Sequence, residues 1–209
     1  MENQSLGNGS PLDQASLGEK FENLFARIIM RDSRAWKGMV WHHSASPDGV
    51  ARDWPGIAHY HTSYRIDFNI VSKEDYDRRL AAKEGAHFEV PWRAVGYNGG
   101  VELVAGIPVF WPGRPLSMIG AHAGLAGHSN AFNEEYIGLC CIGNYDVFPP
   151  SKPVWDFCLG ITRAFMARFN FPAAHVLGHR ETFDKLGVPR QKTCPGAAWS
   201  MDMFRQDLG

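Results

Sequence analysis

Apolar residues recur along the chain at two spacings. Near the start, Phe21, Leu24, Phe25, Ile28 and Ile29 stand three and four apart, and Ser16 with Glu19 ahead of them fits a capping box. This pattern predicts an amphipathic helix over about 18–31. Its apolar face suits packing on the chain's own domain; docking of a protein partner is the alternative. The residues before it, 1–15, are rich in Gly, Ser, Asn and Pro and predict a flexible arm. Residues 1–35 are therefore expected to be an arm and helix ahead of a domain over 36–209.

Beyond the helix the spacing shortens. Met39-Val40-Trp41 is a short apolar run ending at His42-His43, the pattern of a buried strand with histidines at its C-terminal end. Helices are expected over 53–64 and 73–84, with Asp48-Gly49 and Trp54-Pro55-Gly56 as breakers. Glycines among β-branched residues in 96–111 predict a hairpin, and the unbroken run 137–142 suits a strand covered on both faces. After Pro149-Pro150, Pro153 fits the first turn of a helix whose apolar face runs from Val154 to Phe169 and includes Cys158. Val176-Leu177-Gly178 is another short strand, ending at His179, and a last helix is expected over about 197–207. Strands interleaved with helices imply a layered α/β domain.

Composition narrows the classes. With 209 residues, 44% of them hydrophobic, the chain can build a core without disulfides or a structural metal. Lys+Arg is 21 against Asp+Glu 22, a balance that argues against a nucleic-acid partner. No apolar run approaches the ~20 residues of a membrane span. The first residues show neither a basic stretch nor an apolar core of a secretory signal, so cytoplasmic synthesis is expected. Cys140, Cys141, Cys158 and Cys194 form no CxxC pair, which fits reduced thiols.

The chemistry rests on placement. His42 and His179 each follow a short strand, and ligands of open α/β sheets gather at the carboxyl ends of strands. If the two strands are neighbours, both imidazoles meet at one edge. Cys194 follows in Thr193-Cys194-Pro195-Gly196. Two imidazoles and a thiolate make a three-ligand zinc set with the fourth position open to water, the pattern of a catalytic rather than a structural site. Spacing alone does not decide this, since there is no HExxH and no paired CxxC.

The local motifs add to it. Val40-Trp41-His42-His43-Ser44-Ala45-Ser46 resembles the first metal-ligand motif of the zinc-dependent N-acetylmuramoyl-L-alanine amidases, a superfamily that includes phage lysozyme-type amidases and peptidoglycan recognition proteins. Val95-Gly96-Tyr97-Asn98, Gly113-Arg114-Pro115 with Ile119-Gly120-Ala121-His122-Ala123, and Ile137-Gly138-Leu139-Cys140-Cys141-Ile142-Gly143-Asn144-Tyr145 resemble its next segments in order. Gly178-His179-Arg180-Glu181 and Lys192-Thr193-Cys194-Pro195-Gly196 resemble its last two. The likeness runs from about 39 to 205.

The resemblance implies a central mixed sheet flanked by helices, with one zinc held by His42, His179 and Cys194. It implies that Tyr97 bonds the metal's water or the scissile carbonyl and that Lys192 stabilises the oxyanion. His43, Asn98 and His122 become candidates for contact with peptidoglycan or a muropeptide. The implied reaction is hydrolysis of the amide between N-acetylmuramic acid and L-alanine; the alternative is a non-catalytic binding module, members of which typically lack the metal cysteine. An endolysin acting on the wall and a cytosolic recycling enzyme both fit. Two departures stand out. Tyr64-Arg65-Ile66-Asp67-Phe68-Asn69 is an imperfect second copy of the tyrosine element, and Gly99-Gly100 occupies positions where apolar residues are expected. Glu102 offers itself either as a general base or as an exposed hairpin residue. His59, His61 and His87 are expected as surface or helix residues, and Arg114 either at a substrate carboxylate or in an ion pair.

Overall fold

The structure, a computed structural model, describes residues 34–45 and 52–209. The expected arm and helix within 1–33 and the Asp48-Gly49 breaker lie outside the described residues. Strand β1 (Gly38–His43) leads to helix α1 (Trp54–His61), then β2 (Tyr64–Ile66), β3 (Asn69–Val71), α2 (Lys73–Ala81) and β4 (Phe88–Glu89). The hairpin β5 (Gly99–Val104) and β6 (Ile107–Pro112) follows, then a short α3 (Ala131–Glu135) and β7 (Tyr136–Cys141). The chain closes with α4 (Lys152–Phe169), β8 (Val176–Gly178), α5 (His179–Lys185) and α6 (Met201–Leu208).

Five strands form the main sheet in the order β6-β5-β7-β1-β8. The pairs β5–β7, β7–β1 and β1–β8 are parallel and β5–β6 is antiparallel, so the sheet is mixed. The expected α/β domain with a central mixed sheet and flanking helices is thus what the chain adopts. All six residues of β1 are buried, as a central strand covered on both faces requires. Alternation along the strand divides them. Met39 and Trp41 join Ile137, Leu139 and Cys158, Ile161 and Phe165 of α4 in the larger core. Val40 and His42 face the other way, where Leu177, Ala123 and Phe132 form a second, smaller cluster around Val40. The Trp41 indole N–H donates to Thr162 Oγ1 at 3.1 Å, and its ring lies 5.6 Å from Trp199. This ties the central strand to α4 and to the segment that leads into α6.

Two corrections to local expectation have physical causes. The first helix stops at His61 rather than at 64, because Tyr64-Arg65-Ile66 pairs with β3 and β4 in a separate antiparallel sheet. There the buried Arg65 meets Glu89 twice, at 3.2 and 3.1 Å, and its guanidinium lies over the rings of Tyr60 and Trp92. Gly99 and Gly100 open β5 as buried residues even though they lack apolar side chains. Rings from elsewhere fill that space: a Cβ on Gly99 would lie 2.4 Å from Phe110, and one on Gly100 2.2 Å from Trp54 and 2.8 Å from the Cys140 carbonyl oxygen.

That packing makes Gly100→Ala an overpacking substitution. Its expected cost is about 1–3 kcal/mol, seen as a lower urea midpoint at unchanged slope. A midpoint equal to wild type would mean that the Trp54 ring has room to retreat.

Candidate metal centre

Because β1 and β8 are parallel neighbours, with Trp41 level with Gly178, their C-terminal ends coincide. His42 projects from the end of β1, and His179 opens α5 directly after β8. Their ring centroids are 4.6 Å apart. Cys194 arrives from the loop between α5 and α6, with its Sγ 3.6 Å from His42 Nδ1. One donor atom from each of His42, His179 and Cys194 lies within 4.8 Å of the others, and all three residues are buried.

The loop that carries Cys194 is clamped from two sides. The Arg180 backbone N–H donates to the Cys194 carbonyl at 2.7 Å, and its guanidinium donates to the carbonyls of Thr193 (2.9 Å), Gly196 (2.6 Å) and Trp199 (2.6 Å). From the other side, Asp146 accepts from the Ala197 N–H at 2.9 Å and from the Thr193 hydroxyl. Gly196 has φ of 125°, and a Cβ there would lie 2.3 Å from the Tyr145 carbonyl oxygen, so this close approach requires glycine. His179 is steadied by stacking on Phe183, with centroids 5.6 Å apart.

Burial sets the protonation states. It is the main cause that holds His42 well below the usual imidazole range and brings His179 down to about 3, with the Lys192 cation adding to both. Burial likewise pushes the Cys194 thiol up to about 12, against the pull of the His43 backbone N–H, Lys192 and Arg180. Neutral imidazoles are the metal-binding form, and a buried thiol gives up its proton when a cation arrives. The donor set therefore fits a zinc ion in both distance and chemistry.

These groups sit in a cleft of about 1010 Å³. Lys192 and Tyr97 line it, as do His43 and His122. Lys192 is exposed at the rim and close enough to depress His42, His179 and Cys194 together. The Tyr97 ring lies 5.1 Å from His42, and its hydroxyl donates to the Cys140 thiol. Of the two tyrosine-like elements this is the one in the cleft, since Phe68 lies exposed at the β2–β3 turn. His43 stacks on Tyr145 at 6.3 Å, and its Nδ1 accepts from the Tyr145 N–H at 3.2 Å.

Other sequence candidates fall elsewhere. Asn98 is buried; its Oδ1 accepts from the Gly138 N–H at 3.0 Å, and its amide nitrogen donates to the carbonyls of Arg114 and Met118. It knits β5 to β7 and does not line the cleft. Arg114 donates to the carbonyls of Val95 (2.7 Å) and Ile119 (3.2 Å), a backbone clamp rather than an ion pair. Glu102 accepts from the Trp54 N–H at 3.2 Å. His59 and His87 are at the surface, and His61 ends helix α1 as expected but also lines the cleft. His61 stacks on Trp92 at 4.7 Å, accepts the Gly96 N–H at Nδ1 and is lowered by burial to about 4. Its partners lie some thirty residues downstream, so no local pattern points to it.

Residues 32–197 match the family model described as N-acetylmuramoyl-L-alanine amidase. The chain belongs to that family. Its fold is similar to that of a selenomethionine derivative of AmpD, at 18% identity over 84% of this chain and 86% of that one, with a TM-score of 0.54. It is also similar to the peptidoglycan recognition protein PGRP-SA of Apis mellifera, at 15% identity over 81% of each chain, with a TM-score of 0.50. No curated protein matches the sequence significantly. Family membership directs the cleft to peptidoglycan, either bound or cut.

The lowered histidines make a pH prediction for the zinc-free protein. His42, His61, His122 and His179 all titrate lower folded than unfolded, where imidazoles titrate near ~6.5. Their contribution is present above that value and is lost as pH falls toward about 4 for His61 and His122 and about 3 for His179. Urea unfolding at pH 7 and pH 5 is expected to show a loss on the order of 1–2 kcal/mol per ring. A flat profile would mean that the rings are hydrated in the zinc-free protein.

Proposed function

We propose that the protein is a zinc-dependent amidase that hydrolyses the bond between the lactyl group of N-acetylmuramic acid and L-alanine in peptidoglycan or its fragments. The observation that carries this reading is the convergence of His42, His179 and Cys194, buried and neutral, at the base of a cleft in a chain of the amidase family. His42 and His179 would hold zinc through ring nitrogens and Cys194 through its sulfur. Zinc bound there supplies Lewis-acid activation of water and of the amide carbonyl.

The chain's own groups divide the remaining tasks. Lys192, at the rim and within electrostatic reach of all three ligands, stabilises negative charge on the carbonyl oxygen as the amide carbon becomes tetrahedral. Tyr97 lies against His42 and exchanges its Cys140 partner for the substrate carbonyl to act as a second donor. His43 and the His61–Trp92 pair line the cleft and hold the muropeptide.

Metal content measured alongside cleavage of a muropeptide tests the reading. One zinc per chain and release of free stem peptide are expected. Folded protein that takes up no zinc and binds muropeptide uncut would replace the enzyme with a binding module. Cys194→Ser is expected to lose most of the zinc and most of the turnover. Lys192→Ala is expected to keep its zinc and turn over about 10²–10³-fold more slowly; full activity would remove Lys192 from the mechanism.

A further inference from the structure

His122 lies behind His42, on the side away from Cys194. His42 Nε2 and His122 Nδ1 are 3.0 Å apart, and His122 Nε2 is 3.1 Å from the Tyr136 carbonyl oxygen. A carbonyl oxygen only accepts, so His122 Nε2 carries a hydrogen and donates it. His122 is buried and no carboxylate among the described residues bonds its ring; a neutral imidazole carries one hydrogen, and with that hydrogen on Nε2 the Nδ1 is bare. A bare Nδ1 only accepts, so His42 Nε2 must be the donor across the 3.0 Å contact. That leaves the lone pair of His42 on Nδ1, the nitrogen that faces Cys194 Sγ at 3.6 Å.

The surroundings hold this arrangement in place. The His122 ring lies against two glycine backbones, where a Cβ on Gly138 would be 2.2 Å from its Cδ2 and one on Gly120 2.3 Å. Asn133 Oδ1 accepts the backbone N–H groups of both His122 (2.7 Å) and Ala123 (2.9 Å). The ring therefore sits in a slot that a side chain at either glycine would fill, and its main chain is pinned.

We propose that His122 is a positioning residue that fixes His42 in the Nε2–H tautomer through a relay from the Tyr136 carbonyl, presenting His42 Nδ1 as the metal-binding atom. This rests on the reading of His42 as a zinc ligand. It gives His122 a role behind the ligand in place of contact with substrate. Partners of this kind orient a metal-binding ring and raise its basicity.

Two measurements test it. Long-range ¹⁵N–¹H NMR of the zinc-free wild type reads the His42 tautomer directly, and Nε2–H is expected. Chelator competition then compares zinc affinity in wild type, His122→Ala and His122→Asn. Alanine removes the acceptor and is expected to weaken zinc roughly 10–100-fold. Asparagine can put its amide oxygen near the lost Nδ1, and affinity is expected to return to within about threefold of wild type, well inside that loss. A His42 Nδ1–H tautomer in the wild type, or a folded alanine variant with wild-type affinity, would overturn the proposal; so would an asparagine variant as weak as alanine. If neither variant folds, the wild-type spectrum decides. A wild type that takes up no zinc would end the proposed metal centre, while the tautomer would still decide the role of His122.

Discussion

The site depends on parallel pairing at the centre of the sheet. β1 lies between β7 and β8, and its register with β8 is what brings His42 and His179, far apart in sequence, to one edge. A one-residue slip of β1 would turn His42 toward the larger core and Trp41 toward the cleft. The apolar alternation of β1 prevents this. Met39 and Trp41 have a filled core on one side, with the Trp41 indole bonded to Thr162, and Val40 has its own cluster on the other. The same burial that fixes the register keeps the imidazoles neutral, so packing and ligand chemistry share a cause.

Around that edge the backbone does much of the positioning. Arg180, Asp146 and Asn98 are polar residues close to the cleft, yet their bonds go largely to main-chain groups. They hold the Cys194 loop and the β5–β7 contact. Glycines serve the same end where chain segments touch, as Gly196 does against Tyr145 and Gly138 does under His122. In this part of the molecule, absent side chains shape the site as much as present ones.

Much of this was legible in the sequence. The short apolar runs ending in His42 and His179 mark strands, and the strand over 137–142 follows from an unbroken apolar run that suits burial on both faces. The helix with its face from Val154 to Phe169 follows from helical spacing. What was not legible depends on contacts between distant segments. Gly99-Gly100 is a strand start only because Phe110 and Trp54 supply the missing bulk. His61 enters the cleft only because Gly96 and Trp92 hold it there. Asn98 lies beside Tyr97 in sequence but points into the protein, where it bonds the Gly138 N–H and the carbonyls of Arg114 and Met118.

The clamp made by Arg180 has a consequence for how the centre assembles. Arg180 follows His179 directly in sequence and grips the loop that bears Cys194, so the two belong to one cross-braced unit. The cost in chain entropy of bringing those two side chains together is met when the domain folds. A cation held there as proposed would be loaded and stripped as a local event at a finished surface, unlike the small zinc modules whose folding waits for the ion.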